Sequence, residues 1–302
     1  MEINEYGYCE LMLPISIRQK AMLYLMLTAA LWSTSGLWIK VISWSPLAIL
    51  GGRSFVAFFV FLIYLRNSKI KFSWLQLLGS VCYVLTQLTF VWATKLTTAA
   101  NAIFLQYASP IYVVILGYIF LKEKPQKADW AAMVVIFSGL FLFFGEKLSF
   151  DGFYGNILAI ISGMTFAVVM LVMRYQRENN PAQIILIGNA IGFFLGLPFI
   201  FKETINFPNA AIILYLGIFQ IGLSFVFYSK AIKYVKALES NLILTLEPIL
   251  NPLWVFLVIG EKPAKLALAG SFLVISAIIF RAYISSRETK SEYINIITEI
   301  AT

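Results

Sequence analysis

The side chain in this sequence best suited to do chemistry is Glu247, an acidic residue in the middle of a long apolar stretch. A carboxylate at the centre of a bilayer costs about 2.5–3.5 kcal/mol on insertion scales, so such a group usually faces a cavity or a polar partner. It could hold an amine or exchange a proton, or it could be a structural carboxyl hydrogen-bonded to a neighbouring helix. Asn251 follows one turn later on the same face, which favours a polar cavity.

Other polar residues recur four positions apart inside apolar stretches. Such pairs either hydrogen-bond neighbouring helices or line a wet pocket, and both interpretations stay open for any one pair. Their concentration in four stretches favours a pocket. With two tryptophans that could contact an apolar or cationic molecule, the candidate binding residues are Glu247, Trp32, Tyr83, Gln87, Trp92, Asn101, Gln106, Gln220, Ser224, Asn241 and Asn251.

Pro110, Pro248 and Pro252 also lie inside apolar stretches. Each lacks a backbone N–H, so a carbonyl one turn earlier loses its partner and must find another in protein or water. These prolines therefore predict breaks in helices that line a cavity. Arg53 is the basic residue deepest within a stretch. Pairing with Glu247, snorkelling to the membrane surface and binding a carboxylate all remain open for it.

Composition defines the elements that must position these residues. Hydrophobic residues make up 60% of the chain, charged residues 13%, and the mean hydropathy is +0.84. Soluble proteins carry about 45–50% apolar and about 25% charged residues, so the chain is predicted to be an all-α polytopic membrane protein. At about 20 residues a crossing, ten transmembrane spans are predicted, numbered 1 to 10 in order: 21–42, 46–65, 73–94, 97–121, 127–145, 153–173, 182–201, 209–229, 236–259 and 264–284.

Most of the 23 Lys and Arg residues fall on the loops that are cytoplasmic if the N-terminus is inside. Cytoplasmic loops carry such an excess, so both termini are expected in the cytoplasm and the protein in the plasma (inner) membrane. The net charge of +8 is spread singly between apolar runs, which predicts contact with membrane lipid and not with nucleic acid. The absence of His and of a CxxC motif predicts no metal and no cofactor.

The chain also contains an internal repeat. Ser109-Pro110 precedes Glu123-Lys124-Pro125, and Glu247-Pro248 precedes Glu261-Lys262-Pro263 with the same spacing. The first Glu-Lys-Pro falls on an inner loop and the second on an outer loop, so the second five-helix unit is predicted to be inverted. Such inverted-topology repeats are typical of secondary transporters with a site near the midplane. The predicted divisions are a cytoplasmic lead-in 1–20, repeats 21–148 and 149–285, and a polar cytoplasmic tail 286–302.

The opening of the first repeat, Ala30-Leu31-Trp32-Ser33 followed by Lys40, Pro46-Leu47 and Arg53, resembles an EamA-type domain. The drug/metabolite transporter superfamily carries two such domains. The resemblance implies ten helices in two inverted repeats and ATP-independent export of metabolites, amino acids or drugs. The second copy opens with Ser162-Gly163-Met164-Thr165-Phe166 and lacks the tryptophan.

The expected function is therefore export of a small amphipathic metabolite, such as an amino acid or amine, by alternating access, with protons as a further candidate partner. An importer of the same fold is the alternative. An integral-membrane enzyme is disfavoured, because the chain has no His and no paired intramembrane Asp. A central cavity is expected between spans 1, 3, 4, 6, 8 and 9, with spans 5 and 10 peripheral. The sequence leaves substrate, direction and oligomeric state open.

Overall fold

The described residues of the first half of the molecule form seven helices. The computed structural model describes residues 16–69, 72–97, 99–145, 152–250, 254 and 265–301. Ser16 starts the first helix, because its hydroxyl accepts from the Gln19 N–H while the Gln19 side chain accepts from the Ser16 N–H. The helices are α1 (Ile17–Ser33), α2 (Ser35–Val41), α3 (Pro46–Leu65), α4 (Trp74–Leu96), α5 (Ala99–Gln106), α6 (Ser109–Leu121) and α7 (Lys127–Phe144).

The second half is also helical, and one of its long helices changes its winding midway. Its elements are α8 (Phe153–Tyr175), α9 (Ala182–Ile200), α10 (Phe207–Tyr215), a π-helical segment (Leu216–Leu223), α11 (Ser224–Ala231), α12 (Ala237–Leu244) and α13 (Lys265–Ala301). After Thr245 a further helical turn covers residues 246–250. No strand occurs among the described residues, so the prediction of an all-α protein is confirmed.

Among the described residues, eight helical stretches are long and apolar enough to cross a membrane. They correspond to predicted spans 2 to 8 and 10. Span 1 is divided at Thr34 into α1, of 17 residues, and α2, of 7 residues. Span 9 is interrupted at Thr245 and passes into residues 251–253, outside the described part. The protein is thus an integral membrane protein with eight clear spans.

The last helix is longer than predicted. It runs from Lys265 to Ala301 instead of ending near 284. The stretch from 286 to 301 contains neither Gly nor Pro, so nothing in it interrupts the backbone hydrogen bonding that α13 begins. The predicted polar tail is therefore a continuation of the last helix.

The helices pack against one another in several extensive contacts. The largest are α3 with α9, α4 with α8, and α7 with α13; α4 with α9, α1 with α11, α3 with the π-helical segment, and α8 with α5 and α6 come next, and a smaller contact joins α6 to α12. Glycines lie at two of these crossings, Gly51 against Gly196 and Gly139 against Gly270. Small residues let two helix backbones approach closely. The α7–α13 pair lies at one side of the bundle and contributes no residue to the cavity described next.

In the described part of the chain, three ion pairs lie at one end of the bundle, two between helices and one between α8 and the loop that follows α6. Arg18 donates to Glu239 at 2.6 Å, Arg174 to Glu123 at 2.8 Å, and Arg281 to Asp129 at 2.5 Å. Asp129 and Glu239 stand in the first turns of α7 and α12, where the helix dipole favours an acid. This end, called the ion-paired end below, carries the loops that the sequence predicts to be cytoplasmic.

Candidate functional site

A cavity of about 70 Å³ lies among the helices and shares no lining residue with the ion pairs described above. A single water needs roughly 10–15 Å³ on this measure, so the space holds several waters or a small solute. On α8, Phe166 at the cavity and Arg174 at the ion-paired end are separated by about 12 Å of helix. The lining residues are Trp32, Ser35, Ile39, Arg53, Tyr83, Thr86, Gln87, Phe90, Val91, Gln106, Tyr107, Phe166, Gln220, Phe225 and Glu247.

These residues come from spans 1, 2, 3, 4, 6, 8 and 9. The set matches the expected one, with span 2 added through Arg53. The addition has a physical cause, because Arg53 lies on the face of α3 that meets α4 and not on the face that meets lipid, and its side chain is 2% exposed.

Glu247 lies at the cavity between two interrupted helices. The Tyr107 hydroxyl donates to Glu247 Oε2 at 2.5 Å and lies 3.3 Å from the carbonyl oxygen of Leu244. Pro248 has no N–H to offer Leu244, the residue four positions earlier, so that carbonyl is free to accept from another group. The predicted helix-breaking effect of Pro248 thus produces an acceptor beside the carboxylate.

Pro110 accompanies a matching interruption in span 4. Residues 107 and 108 form a turn between α5 and α6, and Pro110 occupies the first turn of α6. This break places Tyr107 between two helices, with its side chain 4% exposed. Tyr107 is not among the binding residues predicted from the sequence, although its position two residues before Ser109-Pro110 was a usable signal.

Arg53 brings a positive charge to the same cavity. Its Nη2 donates to Gln87 Oε1 at 2.8 Å. Among the described residues no ion pair joins Arg53 to Glu247 or to another acid. Of the possibilities the sequence left open, the direct pair with Glu247 is therefore not formed in this structure.

Aromatic rings form much of the remaining wall. The Trp32 ring centroid lies 4.9 Å from that of Phe225 and 5.8 Å from that of Phe166. Trp32 Nε1 donates to Ser224 Oγ at 2.8 Å, and this bond fixes the indole orientation. Ser224 therefore acts behind Trp32 and does not itself line the cavity.

Three amides and one phenol predicted from the sequence also line the cavity. Gln106 Nε2 donates to Ser162 Oγ at 2.8 Å, and the Tyr83 hydroxyl lies 3.4 Å from Asn189 Oδ1. Gln87 accepts from Arg53 as described. Gln220 lies in the π-helical segment, a geometry frequent at functional sites, and its Oε1 is buried with no hydrogen-bond partner in the described structure.

Other predicted residues lie away from the cavity. Trp92 is 40% exposed on the outer surface of the bundle, because its position on α4 turns it towards lipid. Asn101 donates to Asn156 Oδ1 and Thr97 Oγ1, which ties span 4 to span 6. Asn241 accepts from Ser109 Oγ at the α6–α12 contact. Asn251 and Pro252 lie outside the described residues.

The chain is similar to several curated transporters. It is 27% identical over 275 residues to an uncharacterized transporter of Archaeoglobus fulgidus, covering 87% of this chain and 85% of that protein. It is 21% identical over 225 residues to an uncharacterized transporter of Clostridium kluyveri, covering 68% and 71%. A solved crystal structure of another protein superposes on this chain with a TM-score of 0.76 at 17% identity, over 88% of this chain and 98% of the other. That last likeness establishes the fold alone.

The model of the EamA-like transporter family matches the chain twice, at residues 19–145 and 153–283. The two matches together cover nearly all of the helices described above. With full-length transporter relatives and an apolar helical bundle around a polar cavity, the chain belongs to the EamA-like transporter family.

Proposed function

We propose that this protein is a secondary active transporter that exports small amphipathic metabolites, such as amino acids or amines, by alternating access. The observation that carries the proposal is the position of Glu247, an acid that lines a cavity between two interrupted helices. Acids within membrane spans are retained at substrate and ion pathways. The aromatic wall suits the apolar part of such a metabolite, and the carboxylate suits its amine.

The proposal includes an inverted repeat, in which span n of the first half corresponds to span n+5 of the second. A two-fold relation requires each contact between spans to have a mirrored contact. The 3–6 contact is matched by an 8–1 contact and the 3–7 contact by an 8–2 contact, while the 2–7, 4–9 and 5–10 contacts map onto themselves. These matched contacts support a repeat, and five spans in each half would make the second copy inverted.

Single cysteines at Lys124 and Lys262 test the topology; Lys262 lies outside the described residues. In spheroplasts, a membrane-impermeant maleimide should label position 262 and leave position 124 unlabelled until the membrane is opened. This result would also place both termini in the cytoplasm of a plasma (inner) membrane protein. Labelling of both positions from the same side would contradict the inverted repeat.

Alternating access requires that one end be closed while the other is open. Here the ion-paired end is held by contacts that cross between the halves: Glu123 accepts from Arg174 and from the Ala237 N–H at 3.1 Å, and Arg18 binds Glu239. The cavity lies about 12 Å along α8 from these contacts. In the proposed cycle these bonds separate when the ion-paired end opens and the opposite end closes around the substrate.

A substrate screen in liposomes tests the function itself. Purified protein is reconstituted, loaded with candidate amino acids and amines, and followed for efflux with and without a pH gradient. Saturable efflux above that of empty liposomes supports the proposal, and an effect of the gradient identifies proton coupling. Saturable movement of a solute inward only, under matched gradients, would identify an importer instead.

A further inference from the structure

Arg53 is unusual among the buried arginines of the described structure. Arg174 and Arg281 are also buried, and each has a carboxylate partner, Glu123 and Asp129. Arg53 is the most deeply placed along its span, is 2% exposed, and has a neutral amide, Gln87, as its hydrogen-bond acceptor. Its Nε has no partner among the described residues.

A buried cation without an anion is costly, because the desolvation of its charge is not offset by a nearby opposite charge. Arg53 lines the same cavity as Glu247. Glu247 in turn is hydrogen-bonded by a neutral phenol, Tyr107, and not by a cation. Within the described residues, the cavity therefore holds a positive group and a negative group that form no ion pair, and both are available to a bound molecule.

We propose that the transported molecule is a zwitterion, whose carboxylate is bound by Arg53 and whose amine is bound by Glu247. The guanidinium offers planar N–H donors that match a carboxylate. Gln87 is a positioning residue, because its carbonyl accepts from Nη2 and holds the guanidinium at the cavity wall. This inference rests on the proposed function and narrows its substrate class, since a simple amine would leave Arg53 uncompensated.

The aromatic walls of the cavity restrict the part of the substrate that carries no charge. Trp32, Phe90, Phe166 and Phe225 are all cavity-lining aromatic residues. They suit the apolar part of the bound molecule. A zwitterion with an aliphatic or small aromatic side chain fits this description, whereas a highly polar side chain would find few partners along these rings.

Matched solutes test the inference in liposomes containing the full-length protein. Leucine is compared with 3-methylbutylamine, which lacks the carboxylate, and with 4-methylpentanoate, which lacks the amine. A second series, 4-aminobutanoate and 6-aminohexanoate with their matched amines and acids, covers wider spacings of the two charges. We expect at least one zwitterion to be transported at least tenfold faster than both of its single-charge analogues. This arm uses only the wild-type protein.

Variants then assign the selectivity to a residue. Arg53→Gln should slow transport of the preferred zwitterion about ten- to 100-fold, the loss expected for a charge-assisted bond, while transport of its amine changes less than threefold. Arg53→Lys, which keeps the charge without the planar donors, should restore part of the rate. Arg66→Gln, on an exposed residue that follows the same helix, is the matched control and should change neither.

Each outcome has a defined meaning. If an amine is transported as fast as every matched zwitterion, or if Arg53→Gln slows amine and zwitterion equally in protein of unchanged thermal stability, the inference is wrong while the transporter proposal stands. If Arg53→Gln does not fold, the wild-type comparison alone decides. If no solute in any series moves faster than in empty liposomes, the proposed function itself fails.

Discussion

Replacing Glu247 with glutamine should remove the negative charge of the transport site while keeping the shape of the side chain. The glutamine carbonyl can still accept from the Tyr107 hydroxyl, which lies 2.5 Å from the carboxylate, so the contact between spans 4 and 9 survives. A hydrogen bond to a charged group contributes about 1.5–3 kcal/mol. At about 1.36 kcal/mol for each factor of ten, transport of an amine-bearing substrate should fall roughly ten- to 150-fold.

The assay is initial-rate efflux from liposomes at matched protein density, across several pH values. Glu178→Gln is the control, because it makes the same chemical change on a side chain that is 88% exposed and far from the cavity. Tyr107→Phe provides a graded comparison: it leaves the carboxylate in place but removes the donor that orients it, and should cost about 1 kcal/mol, or about fivefold in rate.

The reasoning predicts two linked results for Glu247→Gln, a slower rate and a flatter dependence of the rate on pH. Thermal unfolding of the purified variant should match that of the wild type. Unchanged kinetics together with an unchanged pH profile would mean that the carboxyl is structural and that amides and aromatic rings hold the substrate.

Two further predictions concern packing and closure. Gly139→Ala should lower the free energy of unfolding by about 1–3 kcal/mol, because the added methyl would lie 2.8 Å from the Gly270 carbonyl oxygen. Gly145→Ala is the control and should leave stability unchanged, because a methyl there meets nothing within 4 Å. Thermal unfolding in detergent measures both. Glu123→Gln should speed the labelling of a cysteine at position 237 by a thiol reagent added from the ion-paired end, because it weakens the contacts of residue 123 with Arg174 and with the backbone N–H of residue 237. Equal labelling rates with and without Glu123→Gln would show that the Glu123–Arg174 pair does not hold this end closed.

The sequence predicts the chemical character of the site better than the directions of its side chains. Glu247 stands out because an acid in the middle of a span is costly, and Pro248 because it must free a carbonyl. Trp92 shows the limit, since it faces outward although its type suited a cavity wall. The spans are apolar on most faces, so periodicity does not fix the rotation of each helix.

The breaks in the helices are the second feature that the sequence conveys only in part. The prolines predict interruptions in spans 4 and 9, but not which residue each interruption exposes. Tyr107 becomes a cavity residue only because the chain turns at residues 107 and 108. The π-helical winding around Gln220 is likewise not predicted by any residue pattern identified in the sequence.

The Tyr107 hydroxyl has one proton and two acceptors within reach, the Glu247 carboxylate and the Leu244 carbonyl oxygen. If a substrate ammonium displaces the hydroxyl from Glu247 Oε2, rotation about the phenol C–O bond redirects its hydrogen bond to the Leu244 carbonyl oxygen, and the buried donor keeps a partner. Both acceptors belong to the second half of the chain and the tyrosine to the first. Substrate binding would then replace one hydrogen bond between the halves with another.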